Sequence, residues 1–304
     1  ALKLPRHTSR MFLEPGQRVS VLELMRGIAI VSGNDATIAL AEYLEGSVKN
    51  FVAKMNEESK RLGLDSFYFE DTSGISPKNK ITARQFAKFC QIYIQEHPQS
   101  LQELHSHTKM IYPLKENLNP LIKRRRNKIL QHNNNTFLGR VKGVDGLKTG
   151  FISESGYNIA LSASQNNMRV IAVILGVFNN SPKQGVRQRY ADGKKLLSYA
   201  FDYHTVYKPT FPSFDSLKVY KGTKNTIKVA LEGEGRVIVP IHEAKNVKSW
   251  IEIQKSLEAP IAKGRVLGKM VFTLHGKELA TYPLKAQEYI PESGFFKKLW
   301  HSFL

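Results

Sequence analysis

The chain has 304 residues, of which 41% are hydrophobic and 23% are charged, a balance that is typical of globular proteins and excludes a disordered, collagen-like or coiled-coil chain. At about 150 residues per domain, this length predicts two domains. Lys and Arg outnumber Asp and Glu by 45 to 26, so the net charge of +19 predicts anionic partners or surfaces. Because Cys90 is the single cysteine, the chain can form neither an intrachain disulfide nor a cysteine-based metal framework.

The N-terminal part of the chain has the apolar periodicity of helices. Apolar residues recur at helical spacing on both sides of Ser32-Gly33-Asn34, which predicts two helices separated by a short break. Ser47 is the predicted N-cap of a third helix that ends at Gly63. A fourth helix is predicted to begin at Thr82 and to bury an apolar stripe that contains Cys90.

The pattern then changes from helix to strand. Residues 157–164 and 168–178 are rich in β-formers and are separated by a short polar turn, which predicts an antiparallel hairpin in a buried sheet. Residues 184–203 return to helical spacing. This order of elements predicts an α+β domain over residues 1–204.

Beyond residue 204 the composition changes again. Two prolines mark a linker, and short alternating segments predict a small all-β domain over residues 205–288. The predicted strands are 218–220, 226–231, 236–241, 250–254 and 269–275.

The tail, residues 289–304, places apolar side chains on one face of a predicted helix, with Lys297 and Lys298 beside it. This pattern is typical of an amphipathic helix at an anionic membrane surface, and packing of the same face on the β domain is the alternative. The predicted membrane-contacting residues are Phe295, Phe296, Leu299, Trp300 and Phe303.

Two short motifs, Ser32-Gly33-Asn34 and Lys148-Thr149-Gly150, contain the residues best suited to chemistry. Each has only three residues, so either motif alone is more often a chance loop. The first lies between two predicted helices, and the second lies at the head of the predicted hairpin. Together with a Ser-x-x-Lys element, they make up the signature of active-site-serine, penicillin-interacting enzymes.

On these motifs the chain resembles the membrane-anchored D-alanyl-D-alanine carboxypeptidases, the low-molecular-mass penicillin-binding proteins of peptidase family S11. The resemblance covers nearly the whole chain, in matching order and spacing. It implies a penicillin-binding, β-lactamase-like serine transpeptidase domain, followed by a small all-β domain and an amphipathic tail helix. The stretches that carry it are 11–16, 24–36, 51–56, 144–150, 156–158 and 194–197.

The resemblance implies a serine-type carboxypeptidase that removes the terminal D-alanine from peptidoglycan pentapeptides through an acyl-enzyme, and whose serine is acylated by β-lactams. By the same resemblance, Ser32 would pass a proton toward the leaving amine, and Asn34 would hydrogen-bond the substrate amide. Lys148 completes the expected catalytic set. No cofactor is expected.

The substrate-binding residues implied by the resemblance follow the second motif. Lys148 and Thr149 would hold the terminal carboxylate of the substrate, and Gly150 would let the substrate strand lie close to the backbone. The backbone N–H of Phe151 would be an oxyanion-hole donor, and Arg189 would add positive potential.

Two features depart from the family pattern. In the family, Ser-x-x-Lys lies upstream of Ser-x-Asn, but only 31 residues precede Ser32 and none of them forms that element. The one Ser-x-x-Lys in the chain, Ser106-His107-Thr108-Lys109, comes later, and we interpret it as a coincidence. We expect an N-terminally incomplete carboxypeptidase that is inactive as given; the alternative is a noncatalytic peptidoglycan-binding relative. In addition, Ile152 stands where the family usually has a hydroxyl residue.

The resemblance also predicts partners and location. Peptidoglycan stem peptides ending in D-Ala-D-Ala, β-lactam antibiotics and the anionic inner-membrane surface are the expected partners, for a periplasmic protein peripherally anchored to the outer face of the cytoplasmic membrane. The basic run at 123–126 suggests nucleic acid as a rival partner, but charge is its only support, so no nucleic-acid partner is expected. The histidines lack carboxylate or cysteine neighbours at ligand spacing, so no metal site is expected.

Overall fold

The computed structural model describes residues 4–5, 8–118, 127–210, 217–254 and 257–294. Internal contacts divide the chain into two compact units, Ala1–Ala200 and Phe201–Leu304. The first unit combines helices with β-strands, and the second is built mainly of β-strands. The predicted α+β domain followed by a small all-β domain is therefore confirmed.

Four helices lead into the sheet of the first unit: α1 (Val21–Val31), α2 (Asn34–Glu45), α3 (Val48–Arg61) and α4 (Ala83–Glu96). The predicted break between α1 and α2 lies at Ser32-Gly33, as expected. The side chains of Ser47 and Thr82 accept hydrogen bonds from N–H groups in the first turns of α3 and α4. These caps satisfy donors that a helix N-terminus otherwise leaves unpaired.

Five strands and one long helix complete the first unit. A π-helical turn (Leu101–His105) precedes β1 (Lys109–Tyr112) and a 3₁₀ turn (Lys115–Asn117), and β1 pairs antiparallel with β2 (Ile129–His132). A separate antiparallel sheet has the order β3 (Val144–Ile152), β4 (Gly156–Gln165) and β5 (Met168–Val177). The last element is α5 (Pro182–Tyr203).

The three-stranded sheet is covered on both faces. Cys90 and its apolar neighbours on α4 cluster with Ala160 of β4, as the predicted stripe required. The next residue, Leu161, lies against α5, where a Cβ added to Gly193 would be 2.9 Å from the Leu161 side chain. Because successive strand residues point to opposite faces, α4 and α5 cover opposite faces of the sheet. Among the described residues, β3 forms one edge of this sheet.

The second unit contains three small sheets. A four-stranded antiparallel sheet has the order β11-β13-β14-β9, a three-stranded sheet has the order β12-β7-β8, and β6 pairs with β10. A 3₁₀ turn over Ile241–Asn246 precedes β11. The strands are β6 (His204–Tyr207), β7 (Leu217–Tyr220), β8 (Thr226–Ile227), β9 (Val229–Leu231), β10 (Val237–Pro240), β11 (Val247–Ile253), β12 (Leu257–Glu258), β13 (Val266–Leu274) and β14 (Lys277–Ala286).

The tail lies outside the described residues. This applies to the predicted membrane-contacting residues Phe295, Phe296, Leu299, Trp300 and Phe303, and also to the basic run at 123–126. In the described part of the chain, no helix is both long and apolar enough to span a membrane.

Candidate active site

Ser32 lies at the junction of α1 and α2 in a left-handed backbone conformation. Its φ of 55° and ψ of 39° are uncommon for a residue with a side chain, and such a conformation costs about 1–3 kcal/mol. The next residue is Gly33, where an added Cβ would lie 3.1 Å from the backbone nitrogen of Met11. The crowded loop therefore restrains the position of the Ser32 hydroxyl.

An N-terminal segment is hydrogen-bonded to this loop through two side chains. The Asp35 carboxylate accepts from the backbone N–H groups of Met11 and Leu13, at 2.8 and 2.9 Å. The Asn34 side-chain amide donates to the Ser9 carbonyl at 2.9 Å. The structure therefore joins the predicted substrate contact Asn34 to Ser9, and within the described residues it has no hydrogen bond from Asn34 to the second motif.

Lys148 connects the two sequence motifs. Its ammonium donates to the Ser32 hydroxyl and, at 2.7 Å, to the backbone carbonyl of Thr149. Burial is the main cause that lowers the pKa of Lys148 to about 8, and the nearby positive charge of Arg189 lowers it further. At pH 7 the group is still mostly protonated, but it can give up its proton far more readily than an exposed lysine.

Arg189 belongs to the same electrostatic environment. It is only 5% exposed on α5, and its guanidinium donates to the backbone carbonyl of Asn158 at 3.2 Å. Asn158 is paired with Gly150 across β3 and β4. Arg189 is therefore held next to the part of the sheet that carries the second motif, and it adds positive charge to the site.

The residues after Lys148 differ in their exposure to solvent. Thr149 is buried, whereas the Phe151 side chain is 56% exposed and its ring centroid lies 4.3 Å from that of Tyr157. An added Cβ on Gly150 would meet nothing closer than Asn158, at 3.9 Å. The fold therefore has room for a side chain at position 150. A glycine at this position instead leaves space for a molecule that approaches β3. Ile152 ends the strand and is half-buried.

His105 supports the strand just before Lys148, a role that the sequence did not predict. Its ring lies between the Leu147 carbonyl, 3.2 Å from Nδ1, and the Tyr93 hydroxyl, 2.9 Å from Nε2. Burial lowers the pKa of His105, which favours the neutral ring that donates from Nδ1 and accepts at Nε2. No local motif marks this residue, because its partner Leu147 is remote in sequence.

The remaining candidates do not join this site. The Ser106 hydroxyl donates to the Gln102 carbonyl at 3.3 Å, and Lys109 is exposed at the start of β1. Neither has a hydrogen bond to Ser32 or Lys148 in the part of the chain that the structure describes. In that same part of the chain, no three His, Cys, Asp or Glu side chains cluster so that they could hold a metal ion.

Two family models match the two units. A D-alanyl-D-alanine carboxypeptidase model matches residues 2–179, and a model of the C-terminal domain of penicillin-binding protein 5 matches residues 201–292. The matched regions therefore cover both the unit that contains Ser32 and Lys148 and the all-β unit.

Individual proteins agree with these matches. The chain is 35% identical to the D-alanyl-D-alanine carboxypeptidase DacC of Escherichia coli K12, over 97% of the chain and 70% of that protein. It is 34% identical to DacF of Bacillus subtilis, over 94% of the chain and 70% of that protein. Among solved structures, penicillin-binding protein 5 of Haemophilus influenzae matches with a TM-score of 0.73 and 33% identity, over 94% of the chain and 79% of that structure.

Proposed function

Because the chain belongs to the D-alanyl-D-alanine carboxypeptidase family, we propose that its site removes the terminal D-alanine from peptidoglycan pentapeptides through a serine acyl-enzyme. The observation that carries this proposal is the hydrogen bond from the Lys148 ammonium to the Ser32 hydroxyl, which joins two motifs 116 residues apart. The same site would be acylated by β-lactams, because a strained β-lactam amide mimics the D-Ala-D-Ala bond.

Ser32 and Lys148 are suited to protonate the leaving group. When the peptide bond breaks, the amine of the departing D-alanine must gain a proton. The Ser32 hydroxyl gives its proton to that amine and takes one from the Lys148 ammonium. A Lys148 pKa of about 8 lowers the cost of that transfer relative to an ordinary lysine, because the donor is closer in acidity to neutral pH.

The edge of β3 is suited to bind the substrate as an added strand. An extended D-Ala-D-Ala peptide pairs with the exposed strand edge, and the open space above Gly150 lets its backbone approach closely. The terminal carboxylate is held by Lys148, Thr149 and the charge of Arg189. The N–H of Phe151 donates to the oxyanion that forms during acyl transfer.

Asn34 contributes through its carbonyl oxygen. Its side-chain N–H is engaged with Ser9, which leaves Oδ1 to accept a hydrogen bond from the substrate amide. We expect this contact to orient the scissile bond toward Ser32.

The nucleophile is the remaining requirement. The one Ser-x-x-Lys among the 304 residues does not join the site, so we propose that the chain is inactive by itself and that acylation needs a segment that carries this element. A noncatalytic peptidoglycan-binding protein is the second candidate, and the same separation of Ser106 from the site favours it.

Intact-mass spectrometry after incubation with benzylpenicillin tests the proposal. We would compare the 304-residue chain with a longer version that carries the family's Ser-x-x-Lys segment, each with and without Lys148→Ala. An adduct on the longer version that Lys148→Ala slows at least a hundredfold supports the proposed chemistry. An adduct on neither form favours the noncatalytic candidate, and an adduct on the 304-residue chain would contradict the proposed need for another serine.

We also propose that the protein acts in the periplasm, peripherally anchored to the outer face of the cytoplasmic membrane. The support is the sequence of the tail, in which aromatic residues share one predicted helical face with lysines beside it, and the net charge of +19. Sedimentation with anionic vesicles tests the anchor. Deletion of residues 289–304 abolishes the binding if the tail is responsible.

A further inference from the structure

The all-β unit contains an open groove of about 600 Å³ that is distant in sequence from the site just described. Its walls combine one large aromatic ring with basic and polar side chains. The lining residues include Lys245, Asn246, Lys248, Trp250, Thr273 and His275.

The groove follows from the pairing of β11 with β13. Lys248 and Trp250 are two residues apart on β11, so both project from the same face of the sheet. Thr273 lies directly opposite Lys248, and the buried Val271 lies opposite Trp250. The 3₁₀ turn before β11 supplies Lys245 and Asn246, which also line the groove.

Trp250 is held in place while 40% of it stays exposed. Its indole N–H donates to Glu252 at 2.9 Å, and Glu252 also pairs with Lys269 at 3.1 Å. A tryptophan that is fixed by the sheet and open to solvent provides a rigid apolar surface at low entropic cost. Such residues are enriched where a protein binds a partner.

The charge of the groove is positive. The Glu243 carboxylate, which contacts two of the lining residues, is already engaged, since it accepts from His275 and from Asn246, each at 2.8 Å. Lys245 and Lys248 form no ion pair within the described ranges of the chain. Two ammonium groups that line the same groove as the indole are thus available to an anion.

From these observations we infer that the groove binds an anionic glycan, with one sugar ring packed on Trp250 and carboxylates paired with Lys245 and Lys248. The indole suits the apolar C–H face of a pyranose ring, and Asn246 and Thr273 suit its hydroxyl groups. A single-stranded nucleic acid is less well matched, because such ligands stack successive bases on several aromatic side chains. Among the described lining residues, Trp250 is the one Trp, Tyr or Phe, and the His275 ring is engaged with Glu243. The choice of peptidoglycan as the glycan rests on the proposed function.

Fluorescence titration of the full chain tests this inference. Trp250 and Trp300 are its two tryptophans, so Trp300→Phe leaves Trp250 as the reporter. We would titrate this protein with muramidase-released peptidoglycan fragments and, separately, with a uridine oligonucleotide. Quenching of Trp250 that saturates with the fragments and is weaker with the oligonucleotide is the expected result; tighter binding of the oligonucleotide would overturn the assignment to a glycan.

Sedimentation with intact sacculi measures binding without fluorescence, so it also applies to variants in which Trp250 is replaced. We expect Trp250→Ala to weaken binding at least about tenfold, Trp250→Phe to retain most of it, and Lys248→Ala to weaken it about fivefold. Lys263→Ala is the matched control, because Lys263 is an exposed lysine of the same unit that does not line the groove. An equal loss in Lys263→Ala would mean that net charge alone drives binding and would overturn the site.

The binding tests of the groove and the acylation test of the proposed carboxypeptidase chemistry can fail independently. Benzylpenicillin acylation of the longer version concerns the first unit, and Trp250→Ala is expected to leave its rate unchanged. Lost sacculus binding with intact acylation supports the groove, whereas unchanged sacculus binding in a folded Trp250→Ala variant refutes it whatever the acylation result.

Discussion

Arg189 lowers the pKa of Lys148, although one side chain belongs to a helix and the other to a strand. Two cations thus lie near each other in a largely buried site, and among the described residues neither has a carboxylate partner. Such an arrangement is unfavourable for folding, and it suits a site that receives an anionic substrate group.

Removal of the Arg189 charge should raise the pKa of Lys148. Arg189→Gln removes the nearby positive charge, which is the smaller of the two causes that lower the pKa of Lys148, and leaves the burial in place. The pKa of Lys148 should therefore rise from about 8 but stay below the ordinary 10.5. NMR titration of the lysine side-chain signals of the 304-residue chain measures it. Arg187→Gln is the control, because Arg187 is exposed two positions earlier on α5. An unchanged Lys148 titration in Arg189→Gln would contradict the electrostatic link.

Lys148→Met should abolish acylation of the longer version, yet stabilise the fold of the 304-residue chain at pH 7. The buried ammonium is costly, and replacing it with an apolar side chain of similar length is expected to raise the free energy of unfolding by about 1–4 kcal/mol. Between the folded pKa of about 8 and the ordinary 10.5, the unfolded chain binds more protons, so wild-type stability rises with pH across that window. The advantage of Lys148→Met therefore shrinks above pH 8. Urea unfolding at several pH values checks this, with the exposed Lys142→Met as control.

Gly150→Ala should separate function from stability. Since a Cβ there meets only Asn158, at 3.9 Å, the free energy of unfolding should change by no more than about 0.5 kcal/mol. Binding of an extended ligand along β3 should suffer, which we expect as an at least tenfold slower acylation of the longer version. Gly185→Ala is the contrasting variant. Its Cβ would lie 2.2 Å from the Tyr157 ring, so this variant should lower the free energy of unfolding. Normal acylation in Gly150→Ala would argue against strand addition at β3.

Tyr93 and His105 should act as one unit. Tyr93→Phe removes the hydroxyl that donates to Nε2 of His105. His105→Leu removes the ring N–H that donates to the Leu147 carbonyl. Each single variant should lower the free energy of unfolding by about 1–3 kcal/mol. Because the groups form one chain of hydrogen bonds, the double variant should be less destabilised than the sum of the two single variants. Thermal unfolding of all four proteins measures the difference, and strict additivity would refute the link.

Asp35→Asn should release the N-terminal segment. An amide cannot accept from both Met11 and Leu13 as the carboxylate does, since one of its two ends is a donor. Hydrogen exchange at Ser9 to Leu13 should then become faster, while exchange in α4 stays as it is. The matched control is Asp65→Asn, an exposed aspartate without a described partner. If exchange is unchanged in Asp35→Asn, the carboxylate is not what holds the segment.

The local parts of the site were predictable from the sequence, and its long-range contacts were not. Ser32-Gly33-Asn34 and Lys148-Thr149-Gly150 are contiguous motifs, so both were visible as candidates, but the roles assigned to their residues stay predictions. The support that His105 gives to Leu147 spans 42 residues and depends on how a π-helical turn meets β3. No periodicity in a single sequence encodes such a contact.

The fold shows the same contrast. The hairpin of β4 and β5 was predictable, because two β-rich runs flank a short polar turn in which Asn166 and Asn167 adopt positive φ. In the second unit, β14 was missed although it lies inside a four-stranded sheet. It contains Pro283, which normally argues against a central strand, and its other residues mix apolar with charged side chains. Here the pairing partners β13 and β9 decide the outcome, and they are not local.

The burial of Cys90 has a practical consequence. As the single thiol of the chain, it is 3% exposed, and burial raises its pKa to about 12, so it stays protonated and unreactive toward alkylating reagents at neutral pH. The 304-residue chain therefore provides a background without a competing label site. A pair of cysteines introduced at exposed positions, one in each unit, would accept spin labels or fluorophores and report the distance between the two units in solution.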